Sequence, residues 1–553
     1  MSASLLLLLF AHLAGTGELP TKRGLVFFAA NWTMFPAHFL QTTPWLMIGG
    51  GLAWMLLAVT AALASWRSRF HLRAWWVFYT VVLAVVLVAF LQVLDAKEDE
   101  GPREVAVATE RVSKSFEGLA VKQVYAPVTT AEPMNVIVIL AESLRYDLLE
   151  SYADAAPFLN RLAKEGIVLE RAYASASHSD LSDLAFWYSQ YPYRGRGYES
   201  YSMFDAWRGT SMFEAFKASG YLTGYISSQN ENWGGMINWL KRPGVDYFFH
   251  SEDFKGSTWE NPDDEAGLVA MIKSKLATAG KVEDSQTLDI AAGWLEEAKG
   301  EGQPVMLGMN LQNTHYSYVM PQGVRGPYQP SDLGFKAVYY TWSQSEKENV
   351  RNRYLNAVYG LDLIIERFSK RLNESGLWDE SLVVIVGDNG EGFYEHGFGN
   401  HSGPLYDEST RTLAIIKPPK KLGLAGVRRT TPVSHLDIAA EVLGIAGVAV
   451  PGSFQGVALE QVGARPVFMY TNAFVRQFGV VRWPWKLLLT EQPNKSIELY
   501  NMELDPAERV NRAADHPDVL KELTEQHRFW RESQFRYHRD AIYESRFPPR
   551  YLD

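Results

Sequence analysis

From Asn135 onward, short apolar runs alternate with segments of helical periodicity, and this alternation restricts the fold more than any other feature of the chain. The runs NVIVILA, GYLTGYIS, PVMLGMNL, SLVVIVG and TLAIIK are aliphatic and β-branched with little polar alternation, as in strands buried on both faces. Between the third and fourth runs, Ser345–Glu374 places Val350, Tyr354, Val358, Leu361, Ile365, Phe368 and Leu372 at three- and four-residue spacing, which predicts a long amphipathic helix. Strands alternating with helices predict an α/β domain built on a largely parallel sheet flanked by helices. No internal repeat interrupts the pattern.

In an open parallel sheet, ligands bind beyond the carboxyl ends of the strands. Glu142 and Ser143 follow the first run, Gln312, Asn313, Thr314 and His315 follow the third, and Asp388, Asn389 and Gly390 follow the fourth. Asp-Asn-Gly alone is equally a tight-turn sequence, but three strand ends that deliver acids, amides and a histidine to one edge point to a site. Carboxylate and amide oxygens suit Ca²⁺, Mg²⁺ or Mn²⁺ better than Zn²⁺. A metal held by Glu142, Asp388 and Asn389 could take up a serine oxygen, lower its pKa and polarise a phosphoryl or sulfuryl oxygen.

A serine-rich stretch, YASASHSDLSDLAFWYSQYP, offers Ser175, Ser177, Ser179 and Ser182. Ser179 lies just before a helix expected from Leu184 onward, where free backbone N–H groups favour an anion. Ser179 or Ser182 could equally be an N-cap with Asp183 in the first turn, and the two readings are compatible.

Two segments upstream, Trp45–Ser65 and Ala74–Leu94, carry no charge. Each is long enough to cross a hydrocarbon core of roughly 30 Å at about 1.5 Å per residue. Arg67, Arg69 and Arg73 between them place that hairpin in the cytoplasm by the positive-inside rule, so the chain after Asp95 is expected outside it. SLLLLLFAHLAG fits a further span better than a signal peptide, and Gly24–Leu40 is apolar but interrupted by Pro36. Residues 1–94 therefore read as a membrane region of three or four hydrophobic segments, and residues 95–134 as a charged linker. The formal net charge of −10 argues against a nucleic-acid partner. The absence of cysteine excludes disulfides, thiolate metal sites and cysteine nucleophiles.

The stretches NVIVILAESLRYD, PFLNRLAKEGIVLERAYAS, VGDNGEGFYEHG and LYDESTR occur in an order that resembles the sulfatase-like branch of the alkaline-phosphatase superfamily. TPVSHLDIAAEVLGIAG and WKLLLTEQPNKSIELYNMELDPAERVN are similar to that family's closing segments. The resemblance implies a catalytic domain over residues 135–460 and a small C-terminal subdomain over residues 461–553. It also implies one divalent cation held by Glu142, Ser179, Asp388 and Asn389. His315 matches a substrate-side histidine, and His401 falls where the family places a residue contacting the leaving group. The family's C/S-x-P-S-R motif precedes a Tyr-Pro pair by twelve to thirteen residues, and counting back from Tyr191 and Pro192 selects Ser179, with Ser177 as the minority candidate.

SDLSD lacks the Pro/Ala and Arg needed to convert the nucleophile to formylglycine, so an unmodified serine is expected. Together with the N-terminal segments, this resembles the membrane-anchored lipoteichoic acid synthases and phosphoethanolamine transferases, whereas Asp388-Asn389 is a sulfatase-like pair. The leading expectation is therefore a membrane-anchored transferase moving a phospho-head group from a membrane lipid, through a covalent serine, to an envelope glycan or lipid. The alternatives are a phosphate- or sulfate-ester hydrolase and a non-catalytic lipid-binding or regulatory protein. Mass spectrometry of the peptide containing Ser179 should find intact serine; a mass lower by two hydrogens would mean formylglycine and overturn this reading of the motif.

Overall fold

The computed structural model describes residues 133–195, 207–259, 280–321, 323–333, 342–424 and 426–539. The hydrophobic segments of residues 1–94, the linker up to residue 132, and all but Trp259 of the WENPDDEAG stretch (residues 259–267), whose sequence reads as a substrate-side loop, lie outside the described residues. Among the described residues, no helix is long and apolar enough to cross a membrane.

In chain order, the principal elements begin with β1 (Val136–Ala141), α1 (Pro157–Glu165), β2 (Ile167–Leu169), β3 (Ala172–Tyr173), α2 (Ser179–Tyr188), α3 (Met212–Ala218), β4 (Leu222–Ser227) and β5 (Tyr247–Phe249). They continue with α4 (Asp284–Lys299), β6 (Val305–Leu311), α5 (Lys347–Glu374), β7 (Leu382–Gly387), β8 (Arg411–Thr412), β9 (Ala414–Lys417), β10 (Val427–Arg429), β11 (Val433–Ser434) and α6 (His435–Ile445). The last are β12 (Val467–Thr471), β13 (Arg476–Arg482), β14 (Trp485–Gln492), β15 (Ser496–Asn501) and α7 (Pro517–Arg539).

All five apolar runs become strands of one eight-stranded sheet in the order β10-β2-β9-β7-β1-β6-β4-β5. Every pairing is parallel except those of β9 with β2 and β7, so TLAIIK supplies the single reversed strand. Every residue of β1 is buried, and its alternation divides the two layers. Val136, Val138 and Leu140 face the layer containing α2, α3, α6 and α7. Ile137, Ile139 and Ala141 face α1, α4 and α5. The long helix starts at Lys347 after a single 3-10 turn, and all seven residues of its apolar stripe are buried.

Strands β12–β15 form a separate antiparallel sheet. One face of it, with Phe468, Tyr470, Phe478 and Leu487, joins the main core, and α7 adds Leu523 and Trp530 to the same core. The stretch VLKELTEQHRFWRESQFRYH has an ordinary amphipathic pattern, and α7 packs against this domain through its apolar face.

Burial excludes charge from His435 and His527 in this layer. It pushes His435 down to about 3. Burial, reinforced by Arg531 and Arg528, pushes His527 down to about 3. Below the unfolded value of about 6.5, the unfolded chain binds protons that the folded chain refuses, so stability falls as pH drops from there towards 3. Each group costs about 1.4 kcal/mol per pH unit in that window. Melting curves should therefore fall more steeply between pH 6.5 and 4.5 for the wild type than for His435→Phe; parallel curves would contradict this.

Candidate active site

Three central strands end level. Ala141, the last residue of β1, pairs with Leu311 at the end of β6 and with Gly387 at the end of β7. The next residues, Glu142, Gln312 and Asp388, therefore meet in one row above the sheet. After Glu142 the backbone reverses through Ser143 at φ 58°. That turn aims the Ser143 N–H at Asp388 Oδ1 (2.8 Å) while its carbonyl accepts from the Tyr354 hydroxyl (2.7 Å). Such a strained residue, held by both flanks, is common where a site must be preorganised. Asp-Asn-Gly does more than turn the chain: a Cβ on Gly390 would come within 2.1 Å of the Glu408 carbonyl, so only glycine lets the Asp407–Thr410 turn pack against this strand end.

Ser179 reaches this row from the other side. Its Oγ lies 3.0 Å from each Glu142 carboxylate oxygen, accepts from Asn389 Nδ2 at 3.3 Å, and stands within hydrogen-bonding reach of Asp388. The helix carrying it starts at Ser179 itself, five residues earlier than its sequence pattern predicts, and all ten of its residues are buried. Polar residues at its start face the site or the core, so no solvent-facing stripe marks its first turn. The N-cap position belongs to His178, which makes no side-chain cap, and Ser182 Oγ bonds back to the His178 carbonyl (3.0 Å). Neither Ser179 nor Ser182 is the N-cap. Ser177 is directed away, with its Oγ bonded to the Gly403 carbonyl and Thr471 Oγ1.

Both histidines singled out in the sequence arrive at Glu142. His315 and His401 have ring centroids 5.3 Å apart, and ligating atoms of Glu142, His315 and His401 all lie within 4.8 Å of one another. Burial opposes charge on His401, but Glu391 (3.3 Å from Nδ1), Glu142 and Asp388 outweigh it and push the imidazole up to about 9. Burial, with Lys281 and His401 beside it, pushes His315 down to about 3. At neutral pH the pair thus combines an imidazolium with a neutral imidazole. Burial also opposes ionisation of Glu142, yet the positive surroundings hold it down at about 2.

Three further residues belong here that strand-end reasoning did not single out for a role. Lys281 donates to Gln312 Oε1, and Gln312 Nε2 donates to Glu142 Oε2 (3.0 Å), so the ammonium stands one amide away from the carboxylate. Lys281 follows no strand and enters through a backbone pairing with Trp259, which leaves no local signal in the sequence. Glu391, two residues past Asn389, orients His401. Asp183 occupies the position of the formylglycine motif's arginine; burial and then Asp388, Glu142 and Glu231 push its carboxyl well up. Asp183 Oδ2 accepts from Asn310, while Oδ1 is buried without a hydrogen-bond partner among the described residues.

These residues fit a divalent cation. Burial, then the neighbouring Glu142, pushes Asp388 well above the usual carboxylate range, the signature of two buried acids short of positive charge. Asn389 Nδ2 occupies the point where acceptors converge: Asp388 Oδ2 at 2.8 Å, Ser179 Oγ at 3.3 Å and Glu142 Oε1 at 3.5 Å. Turning that amide over would present its oxygen instead, and Glu142, Asp388, Asn389 and Ser179 would then form an all-oxygen set of the kind that suits Ca²⁺, Mg²⁺ or Mn²⁺. Glu142, His315 and His401 offer a second, nitrogen-rich set that shares Glu142.

The protein-family model described as Sulfatase matches residues 134–448, more than half of the chain. Arylsulfatase K of Xenopus laevis is 22% identical over 451 residues, covering 70% of this chain and 81% of that protein. N-acetylglucosamine-6-O-sulfatase of Bacteroides thetaiotaomicron is 28% identical over 214 residues, 35% of this chain and 37% of that one. Among solved structures, a protein in the alkaline phosphatase superfamily from Vibrio parahaemolyticus superposes with a TM-score of 0.58 at 14% identity, covering 79% of this chain and 96% of that chain. The phosphonate monoester hydrolase of Agrobacterium radiobacter superposes with a TM-score of 0.57 at 16% identity, covering 73% and 96%. At these identities the structural likeness speaks to fold.

The two donor sets separate in a thermal-shift experiment. Mn²⁺ or Ca²⁺ should raise the melting temperature of the chelator-treated wild type and of His401→Ala, and should leave Glu142→Gln unchanged. Equal loss of the metal effect in His401→Ala and Glu142→Gln would assign the metal to the histidine set instead.

Proposed function

The chain belongs to the sulfatase family, on the α/β fold of the alkaline-phosphatase superfamily, and we propose that it is a metal-dependent hydrolase of sulfuric or phosphoric esters with Ser179 as nucleophile. The observation that carries this reading is the placement of Ser179 Oγ at 3.0 Å from the Glu142 carboxylate and 3.3 Å from Asn389, at the buried start of α2.

Glu142 accepts the Ser179 hydroxyl and orients its lone pairs, while the N-terminal N–H groups of α2 favour the anionic group under attack. Lys281 and the neutral His315 flank Glu142 and stabilise charge on the non-bridging oxygens. A bound divalent cation would neutralise the buried carboxylates and polarise both the serine and the ester oxygens. Ser179 Oγ attacks phosphorus or sulfur and passes its proton to the Glu142 carboxylate, and the imidazolium of His401, held in that form by Glu391, protonates the departing ester oxygen. Water then attacks the same centre, giving a proton to the now neutral His401, and Ser179 departs with the proton returned by Glu142.

The lipid-linked transfer expected from the sequence differs only in its second step, where a glycan or lipid hydroxyl replaces water. Water is the better-supported acceptor, because the relatives are named sulfatases and a fold neighbour is a phosphonate monoester hydrolase. Membrane anchoring through residues 1–94, with the catalytic domain outside the cytoplasm and membrane lipids beside it, is part of the proposal and rests on the two charge-free segments and the arginines between them.

Full-length protein with Mn²⁺ or Ca²⁺ should hydrolyse 4-nitrophenyl phosphate or 4-nitrophenyl sulfate. Ser179→Ala should lower the rate at least ~10³-fold, and His401→Ala by ~10²-fold or more, less so for this activated leaving group than for an alkyl ester. No release from either ester with any divalent metal, or an active Ser179→Ala, would refute the reading. Glycerol as added acceptor decides the second step: formation of glycerol phosphate would restore transfer over hydrolysis.

A further inference from the structure

The serine-rich stretch leaves Ser177 without a part in the chemistry, yet it is fully buried and makes three directed contacts. Its Oγ lies 2.8 Å from the Gly403 carbonyl and 3.1 Å from Thr471 Oγ1, and its own carbonyl accepts from the Ser402 N–H at 2.6 Å. Thr471 ends β12 in the C-terminal sheet and is also fully buried. Ser402 and Gly403 directly follow His401. Ser177 therefore touches the segment carrying the candidate nucleophile, the loop carrying the candidate acid, and the C-terminal sheet at one point.

The contacts around that point have the same pattern. Tyr470 N–H donates to the Ser175 carbonyl (2.9 Å), so β12 holds the approach to Ser179 at a second residue. Gln477 on β13 accepts the Leu405 N–H (2.7 Å), so the same sheet also holds the chain beyond His401. On the opposite side, Ala174 N–H donates to the Thr410 carbonyl (2.8 Å) at the end of the Asp407–Thr410 turn. That turn is anchored in its turn by buried Lys486 of β14, 2.8 Å from Asp407. Residues 174–177 thus lie between two surfaces that the C-terminal sheet either supplies or anchors. His401 and Ser179 sit two residues or fewer from the contacts, and both flanks of His401 are left-handed, Asn400 at φ 75° and Ser402 at φ 65°.

We propose that the C-terminal sheet is a positioning element for catalysis, and that the Ser177–Thr471 contact sets the placement of Ser179 relative to His401. The inference rests on the ester-cleaving reading for its catalytic consequence, but the physical hold stands on the contacts alone. Ser177 and Thr471 touch no reacting atom. Displacing a nucleophile by about 1 Å costs ~10²-fold in rate, so a contact of this kind acts on kcat and leaves the metal site intact.

Thr471→Val keeps the shape of the side chain and removes the hydroxyl; Thr471→Ser keeps the hydroxyl. Hydrogen exchange of the full chain should show residues 174–182 exchanging several-fold faster in Thr471→Val, with β1, β6 and β7 unchanged, and near wild-type exchange in Thr471→Ser. On whichever nitrophenyl ester the wild type cleaves, Thr471→Val should lose ~10- to 100-fold in kcat with KM within about twofold and the Mn²⁺ thermal shift retained, and Thr471→Ser should recover most of it. Unchanged exchange in Thr471→Val overturns the inference, and so does faster exchange with wild-type kcat. Faster exchange in a protein that cleaves neither ester supports the hold and counts against the hydrolase reading instead.

Discussion

Two carboxylates, Glu142 and Asp388, are buried side by side where β1 and β7 end level, and the rest of the site answers to that constraint. Neighbouring buried acids cannot both ionise without compensating charge. Asp388 spends its oxygens on the N–H groups of Ser143 and Asn389 and on the Asn389 amide. Glu142 is met by Ser179, Gln312 and the charge of His401 and Lys281. The Asn389 amide lies among these acceptors, 2.8 Å from Asp388 Oδ2, 3.3 Å from Ser179 Oγ and 3.5 Å from Glu142 Oε1.

That requirement explains features that look unfavourable in isolation. A ten-residue helix is buried on every side and begins with Ser-Asp-Leu-Ser-Asp, because its polar end closes the site. Ser143, Asn400 and Ser402 adopt left-handed backbone at the residues that aim Glu142 and His401. Lys486, a buried lysine in the C-terminal sheet, is retained by Asp407 at 2.8 Å and Glu508 at 3.0 Å and steadies the turn that packs on Gly390. Each local cost is offset by contacts from a distant element, which ties the small sheet to the catalytic edge.

The sheet was legible because β-branched runs buried on both faces have a pattern of their own, and Glu142, Asp388 and His315 were legible because strand ends in such a sheet deliver polar residues to one edge. Direction was not: nothing in TLAIIK distinguishes the reversed strand from its parallel neighbours. The start of α2 carries no such mark, because a helix shows in a sequence through a wet face and a dry face, and this helix has no wet face. Lys281, Glu391 and Thr471 were invisible for a different reason. Their importance lies in what they touch, at separations such as the 294 residues between Ser177 and Thr471, and no local spacing encodes that. Ser179 became selectable among four serines through family register, and the structure then separates Ser177 from it by direction.

The chemistry proposed for Ser179 depends on an all-oxygen cation site in which its hydroxyl is one of the donors. X-ray absorption on the Mn²⁺-loaded full-length protein tests it most directly, since oxygen and imidazole nitrogen shells differ in their outer-shell scattering. The coordination sphere should hold oxygen ligands at about 2.0–2.6 Å and no imidazole, unchanged in His401→Ala and altered in Asp388→Ala. A sphere containing two imidazoles, lost when His315 or His401 is replaced, would contradict it.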